Sequence, residues 1–314
     1  MKHVALIFAL VLTATLSFTQ TTTKTATAIS SKVVNSDQLL EDVRTLSDDA
    51  MEGRRFGTPG GAKARAYVAR RFGEVGLKPF FGESFEQAVT HTGNGTTTKG
   101  ANIVGVVRGK TSPERFLVVT AHYDHLGVRN GQVFNGADDN ASGVSALLQT
   151  AAQFSREPPE HSILFAALDG EEGPGAGART LVSSLLEGKR SVLLNINLDM
   201  VSHSTRSELY AAGAHHYPFL KPLVERVAGR SPVKLLMGHD RPELGRDDWT
   251  GQSDHYAFHR EKIPFLYLGV EDHKDYHRAS DDFETITPEF FVRAAETILE
   301  LVKMIDEEQT KGKQ

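Results

Sequence analysis

Five short segments of the sequence gather the residue types that hold metal ions and move protons. TAHYDHLG carries His122 and Asp124, NGADDNASG carries Asp138, and ALDGEEG carries Glu171 and Glu172. NLDM carries Asp199, and DHKDYHRASDD carries His273 and His277. With 13 histidines and no cysteine, any metal must be held by imidazole and carboxylate, and no disulfide can form.

Each segment has its own chemical reading. In His122-x-Asp124 the histidine would bind metal while the aspartate orients an imidazole or supports a neighbouring ligand, although the same pair is common on surfaces. His125 competes by proximity, but side chains alternate along a strand, which sets it second. Asp138 follows Gly136 and Ala137, small residues that admit a crowded site, and Asn140 or Ser142 can cap the next helix and leave Asp138 free. Glu171 and Glu172 repel each other unless a cation compensates; one can then ligate while the other accepts a proton. Asp199 ends an apolar strand, where a lone aspartate is more often a turn former. Spacing alone favours neither His273 nor His277, and His277 is our candidate.

The elements that must position these residues alternate. Strands are expected over 102–109, 116–123, 162–169, 192–200, 207–213 and 263–269, and helices over 140–155, 177–187, 217–228, 253–260 and 288–307. Two more helices precede them, one capped by Ser36 and one starting near Gly61, and 91–100 reads as a hairpin tip or loop. The pattern predicts an α/β fold: a single domain over 36–308 with a mostly parallel central sheet and helices on both faces. Such sheets place chemistry at the carboxyl ends of their strands, where these polar residues fall.

Composition narrows the function classes. A hydrophobic content of 39% and a charged content of 24% describe an ordinary soluble protein, and a net charge of -5 argues against nucleic acid as a partner. Lys2 followed by the apolar run Val4 to Leu16 has the form of a secretory leader, too short to span a bilayer. Residues 1–28 are therefore expected to be a signal peptide and polar leader, which implies a secreted or periplasmic protein without a stable membrane anchor.

In this order, HYDHLG, NGADDNASG, the Glu171–Glu172 pair, NLDM, SDHYAF and DYHRASDDFETI resemble the di-zinc aminopeptidase family. Its relatives include aminopeptidase Y, the glutamate carboxypeptidases and the glutaminyl cyclases. The resemblance spans roughly 36–305, and the ordered set is far more specific than any single motif. It implies a zinc-exopeptidase-like fold and two zinc ions, one held by His122 and Asp199, the other by Glu172 and His277. Asp138 would bridge them, followed by a cis peptide at Asp138–Asp139. Glu171 would be the general base and Asp124 would support His122. Thr250, beside Trp249, stands where some members place a tyrosine for the oxyanion, and Gly173 to Gly177 replaces the family's usual loop after the glutamates. The implied activity is removal of N-terminal residues from peptides, with water activated by Glu171. The alternatives are a carboxypeptidase or dipeptidase using Arg246 or Arg278 as a carboxylate clamp, a glutaminyl cyclase, or a silent binding relative.

Overall fold

A segment such as FLVVTAH has no polar face to offer water, so it must be covered on both sides. The computed structural model, which describes Met1 and residues 31–311, shows how. The chain forms α1 (Ser36–Leu46) and α2 (Pro59–Glu74), then β1 (Lys78–Pro79), β2 (Glu86–Gly93), β3 (Thr96–Val107) and β4 (Ser112–His122). A small hairpin, β5 (Gly127–Arg129) and β6 (Gln132–Phe134), precedes α3 (Gly143–Arg156). Next come β7 (His161–Leu168), α4 (Ala176–Glu187), β8 (Ser191–Leu198), β9 (Glu208–Ala212), α5 (Lys221–Ala228) and β10 (Lys234–Met237). They are followed by α6 (His255–Arg260), β11 (Phe265–Gly269) and α7 (Pro288–Lys311). Asn35, not Ser36, caps α1, accepting the Gln38 N–H at 3.1 Å.

The main sheet runs β1-β3-β7-β4-β8-β11-β9-β10, with β2 also paired to β3. β7, β4, β8 and β11 are mutually parallel, whereas β3 and β9 run against β7 and β11. The expected single α/β domain is present, its sheet parallel at the centre and mixed towards the edges. The local cause at one edge is the turn Asn94–Gly95, whose φ values of 50° and 75° suit a tight hairpin and bring β2 back onto β3.

Alternation along β4 divides the core. Leu117, Val119 and Ala121 face a layer containing α1, α2, α3, α5 and α7, while Phe116 and Val118 face α4 and α6. Each such buried Val, Leu or Phe contributes roughly 1.5–3 kcal/mol, and a slip by one residue would send both sets to the wrong layer. That register fixes where β4 ends, and hence where His122 sits. Among the described residues no helix is long and apolar enough to cross a membrane. The expected leader lies, beyond Met1, outside the described residues.

Candidate metal centre

Three adjacent parallel strands, β7, β4 and β8, end side by side at Leu168, His122 and Leu198. The glutamate pair follows the first and Asp199 the third, while β11 leads into the loop that carries His277. All converge on a cleft of about 240 Å³.

His122 Nε2 lies 3.3 Å from Asp199 Oδ1 and 3.4 Å from Asp139 Oδ1. His277 Nε2 lies 3.1 Å from Asp139 Oδ2 and 3.3 Å from Glu172 Oε2. Asp139 therefore offers one oxygen to each group. The His122 tautomer follows from its other nitrogen, Nδ1, which is 3.1 Å from the Asp124 carbonyl oxygen. A carbonyl can only accept, so Nδ1 carries a proton, and Nε2 faces two carboxylate oxygens that favour positive charge there. Burial lowers the His122 pKa, but Asp199 overcomes it and raises it well above its ordinary value, so the place is taken by a proton or by a metal ion that replaces it. Separations of 3.1 to 3.4 Å are also the edges expected between donors around an ion with bonds of about 2.0–2.2 Å. The donor set fits two divalent cations sharing one aspartate.

The structure corrects the expected bridge. Asp138 is buried away from the cleft: its Oδ1 accepts from the Ser202 N–H and hydroxyl, each at 2.7 Å, and its Oδ2 lies 3.1 Å from His273 Nε2. It is Asp139 that reaches the cleft, with one carboxylate oxygen near each histidine. The cause is local. Gly136 adopts φ 57°, the segment Ala137–Ser142 is irregular, and the Asp281 carboxylate accepts both the Asp138 and Asp139 N–H groups at 3.0 Å. Two consecutive side chains then point to different sites. The cis peptide likewise falls at Asp139–Asn140, one residue later than expected. Asn140 does cap α3, accepting the Gly143 N–H at 2.9 Å.

Through its side chain Asp124 takes the second of its two expected roles, supporting a neighbouring ligand, and not the support of His122 that the resemblance implied. Its carboxylate accepts the N–H groups of Glu171 at 3.0 Å and Glu172 at 3.3 Å, while its nearer oxygen stays 3.8 Å from His122 Nδ1. It is the backbone carbonyl of Asp124 that orients His122; the carboxylate clamps the glutamate loop.

His125 was set second because side chains alternate along a strand, but β4 stops at His122 and the rule no longer applies. The ring is fully buried, with Nδ1 2.6 Å from Glu172 Oε1 and 3.7 Å from Asp139 Oδ2. Two histidines thus compete for the second group. A gap of 2.6 Å is too short for two donors on one ion, whereas the His277 distances suit it. We therefore place His125 behind Glu172 and His277 facing the ion position. Neither His125 ring nitrogen nor Glu172 Oε1 has a well-directed hydrogen-bond partner.

Arg54 was missed altogether. Its guanidinium is wholly buried and donates to the carbonyls of Leu46 (2.6 Å), Tyr123 (2.8 Å) and Gly136 (2.8 Å), as well as to that of Asn135. It ties the loop after β4 to the loop before Asp139. In MEGRR nothing separates it from its neighbour Arg55, so no sequence signal marks it.

The two glutamates are pushed apart electrostatically. Burial, reinforced by Asp254, Asp199 and Glu172, drives the Glu171 carboxyl well above its ordinary pKa. Burial acts on Glu172 in the same sense, but His125 and His277 overcome it and hold that carboxyl far below the usual range. Such a split separates a proton acceptor from a permanently anionic neighbour.

Neither Arg246 nor Arg278 lines the cleft. Thr250 is turned away, its hydroxyl 2.9 Å from His216 Nε2 and 2.5 Å from Asp248 Oδ1. Trp249, Gln252, Tyr267 and Tyr276 form the wall instead.

Known proteins share this arrangement of chain. Aminopeptidase YwaD of Bacillus subtilis (strain 168) is 30% identical over 258 residues, covering 76% of this chain and 52% of that protein. The solved LapA aminopeptidase of Legionella pneumophila superposes with a TM-score of 0.69 at 16% identity, over 87% of this chain and 72% of its own. Fimbriiglobus ruber glutaminyl cyclase gives 0.68 at 19% identity, over 86% and 95%. The chain spans about half or less of the length of the first curated relatives it matches. Residues 102–302 match the model of peptidase family M28, and the chain belongs to that family.

Proposed function

We propose that this chain is an exported di-zinc aminopeptidase, its peptidase unit spanning 36–308. The observation that carries the reading is Asp139, which offers one carboxylate oxygen to the His122–Asp199 group and the other to the Glu172–His277 group. Two zinc ions bound there would polarise a scissile carbonyl and make water more acidic. This chain's own residues do the rest. Glu171 belongs to neither ligand group, lines the cleft, and is held beside it by the Asp124 clamp on its amide. It takes the proton of the attacking water and returns it to the leaving amine. Arg54 holds the two loops in register.

Unblocked peptides are the proposed substrates, because an arginine clamp for a C-terminal carboxylate is not built into the cleft wall. One observation keeps the carboxypeptidase or dipeptidase reading alive. A groove of about 290 Å³ runs from Glu171 past Arg179 and Arg260, which could hold a carboxylate. The full ligand set argues against a single-metal cyclase or a silent relative. Zinc-loaded protein should cleave amino-acyl chromogenic amides and spare their N-acetylated forms. Cleavage of N-blocked dipeptides with amino-acyl amides untouched would transfer the assignment to the carboxypeptidase. Export rests on Lys2 and the Val4 to Leu16 run, and N-terminal sequencing of mature protein from the medium or periplasm tests it. Protein retained in the cytoplasm with Met1 intact, and absent from both, would refute it.

A further inference from the structure

Two openings meet at Glu171. Glu171 and Gln252 border both the metal cleft and the groove that carries Arg179 and Arg260. That groove does not stop at the arginines. A further hollow of about 380 Å³ shares Arg179, Ala257 and Arg260 with it and continues to Leu186. The channel thus runs outward from Glu171 along the seam where α4, which carries Arg179, packs on α6, which carries Arg260.

The loop after the paired glutamates shapes its entrance. Gly175, with φ 59°, leads into α4, and a Cβ at that position would stand 3.1 Å from Arg179 Nη1. The guanidinium therefore lies back over the Gly173 to Gly175 loop, the segment in which this sequence departs from the family's usual one, at a point where a side chain would crowd it. Arg179 and Arg260 are both exposed and, among the described residues, make no ion pair and no hydrogen bond within the chain. Charge alternates along the channel. Glu171 and the buried Asp254 stand at the inner end, the two arginines in the middle, and Glu187 and Glu261 at the outer end. A carboxylate is repelled at either end and held in the middle, where guanidinium forks bind it.

We propose that Arg179 and Arg260 form the leaving-side subsite of the peptidase and select peptides whose departing fragment carries a carboxylate a short way beyond the scissile bond. The inference rests on the aminopeptidase reading. With the substrate's amine at the metals, Glu171 returns its proton to the leaving amine, so the departing fragment extends from Glu171 into this channel. Its carboxylate is either the C-terminus of a short peptide or an acidic side chain, and the same forks take both. Water competes for exposed guanidinia, so the expected preference is about tenfold.

Zinc-loaded full-length protein is given Leu-Ala-Ala, the C-terminal amide of that peptide, and the amide of Leu-Glu-Ala, and kcat/KM is measured for release of leucine from each. A preference of about tenfold for the free acid over its amide assigns the subsite to the C-terminal carboxylate, and the same preference for the glutamyl peptide assigns it to an acidic side chain. Either supports the proposal if the preference disappears in an Arg179→Gln, Arg260→Gln double variant. Equal values for all three peptides in the wild type would overturn it while leaving the aminopeptidase reading intact, and so would a preference that survives in the double variant. Release of leucine from none of them would remove both. Salt gives a second measurement that needs no variant. A preference held by exposed guanidinia should shrink severalfold as sodium chloride rises from about 0.05 to about 0.5 M, and one that ignores salt would overturn the proposal.

Discussion

The protein buries carboxylates in two different ways. Asp42, on α1, is fully buried and completely answered: Arg71 donates at 2.8 and 3.2 Å, Tyr67 at 2.7 Å and Gln38 at 3.0 Å. The cleft reverses this. Asp139, Glu172 and Asp199 face one another and three histidines, and the nearest guanidinium, Arg54, spends its donors on backbone carbonyls. The first arrangement is answered by a permanently charged guanidinium, whereas the second is answered within the chain only by imidazoles, whose protons metal ions can replace. Structure and site are thus told apart by who answers the charge.

Breaking this contrast should affect turnover to different degrees. The largest effect comes from the acid–base residue. Glu171→Gln should lower kcat by roughly 10²–10⁴-fold while zinc content stays unchanged, measured by steady-state kinetics and metal analysis together. Lost zinc would instead make Glu171 a ligand. The clamp comes next. Asp124→Asn weakens the hold on the glutamate amides and should cost roughly 10–100-fold in activity or zinc affinity. An unchanged variant would deny the clamp any role.

The smallest effect on turnover is expected at Asp42. Arg71→Met leaves that carboxylate buried without its cation, with only the Tyr67 and Gln38 donors, which should destabilise the fold by about 3–5 kcal/mol in urea titration while kcat per folded molecule is preserved. Chelation sharpens the contrast from the other side. It should lower the thermal midpoint of the wild type, because zinc binds the folded chain alone, and Asp42→Asn should leave that metal-dependent increment unaltered. An increment abolished by Asp42→Asn would show the two regions to be one.

Much of this was legible because the strands are. β4, β7 and β8 are apolar runs that can only be buried, and their ends point to His122, Glu171, Glu172 and Asp199 without further help. Legibility stopped where regular structure stopped. Asp138 and Asp139 are identical side chains in an irregular turn, and which one faces the cleft is set partly by groups far along the chain, Ser202 on Asp138 and the Asp281 carboxylate, 142 positions from Asp139. The argument that set His125 second failed for the same reason, since His125 lies three residues beyond the end of β4, although its place behind Glu172 keeps the ranking. β2 and β10 escaped notice because half of the residues in the first and three of the four in the second are exposed. Arg54 could not be found, since its partners are carbonyls, and carbonyls have no sequence.

The central claim is that Asp139, and not its neighbour, joins the two metal groups. Zinc-edge anomalous scattering from crystals of Asp139→Asn and Asp138→Asn, grown with the same zinc, tests it directly. The account predicts that Asp138→Asn keeps both central peaks, between His122 and Asp199 and between Glu172 and His277, whereas Asp139→Asn loses at least one. Both peaks persisting in Asp139→Asn, with a loss in Asp138→Asn, would contradict it.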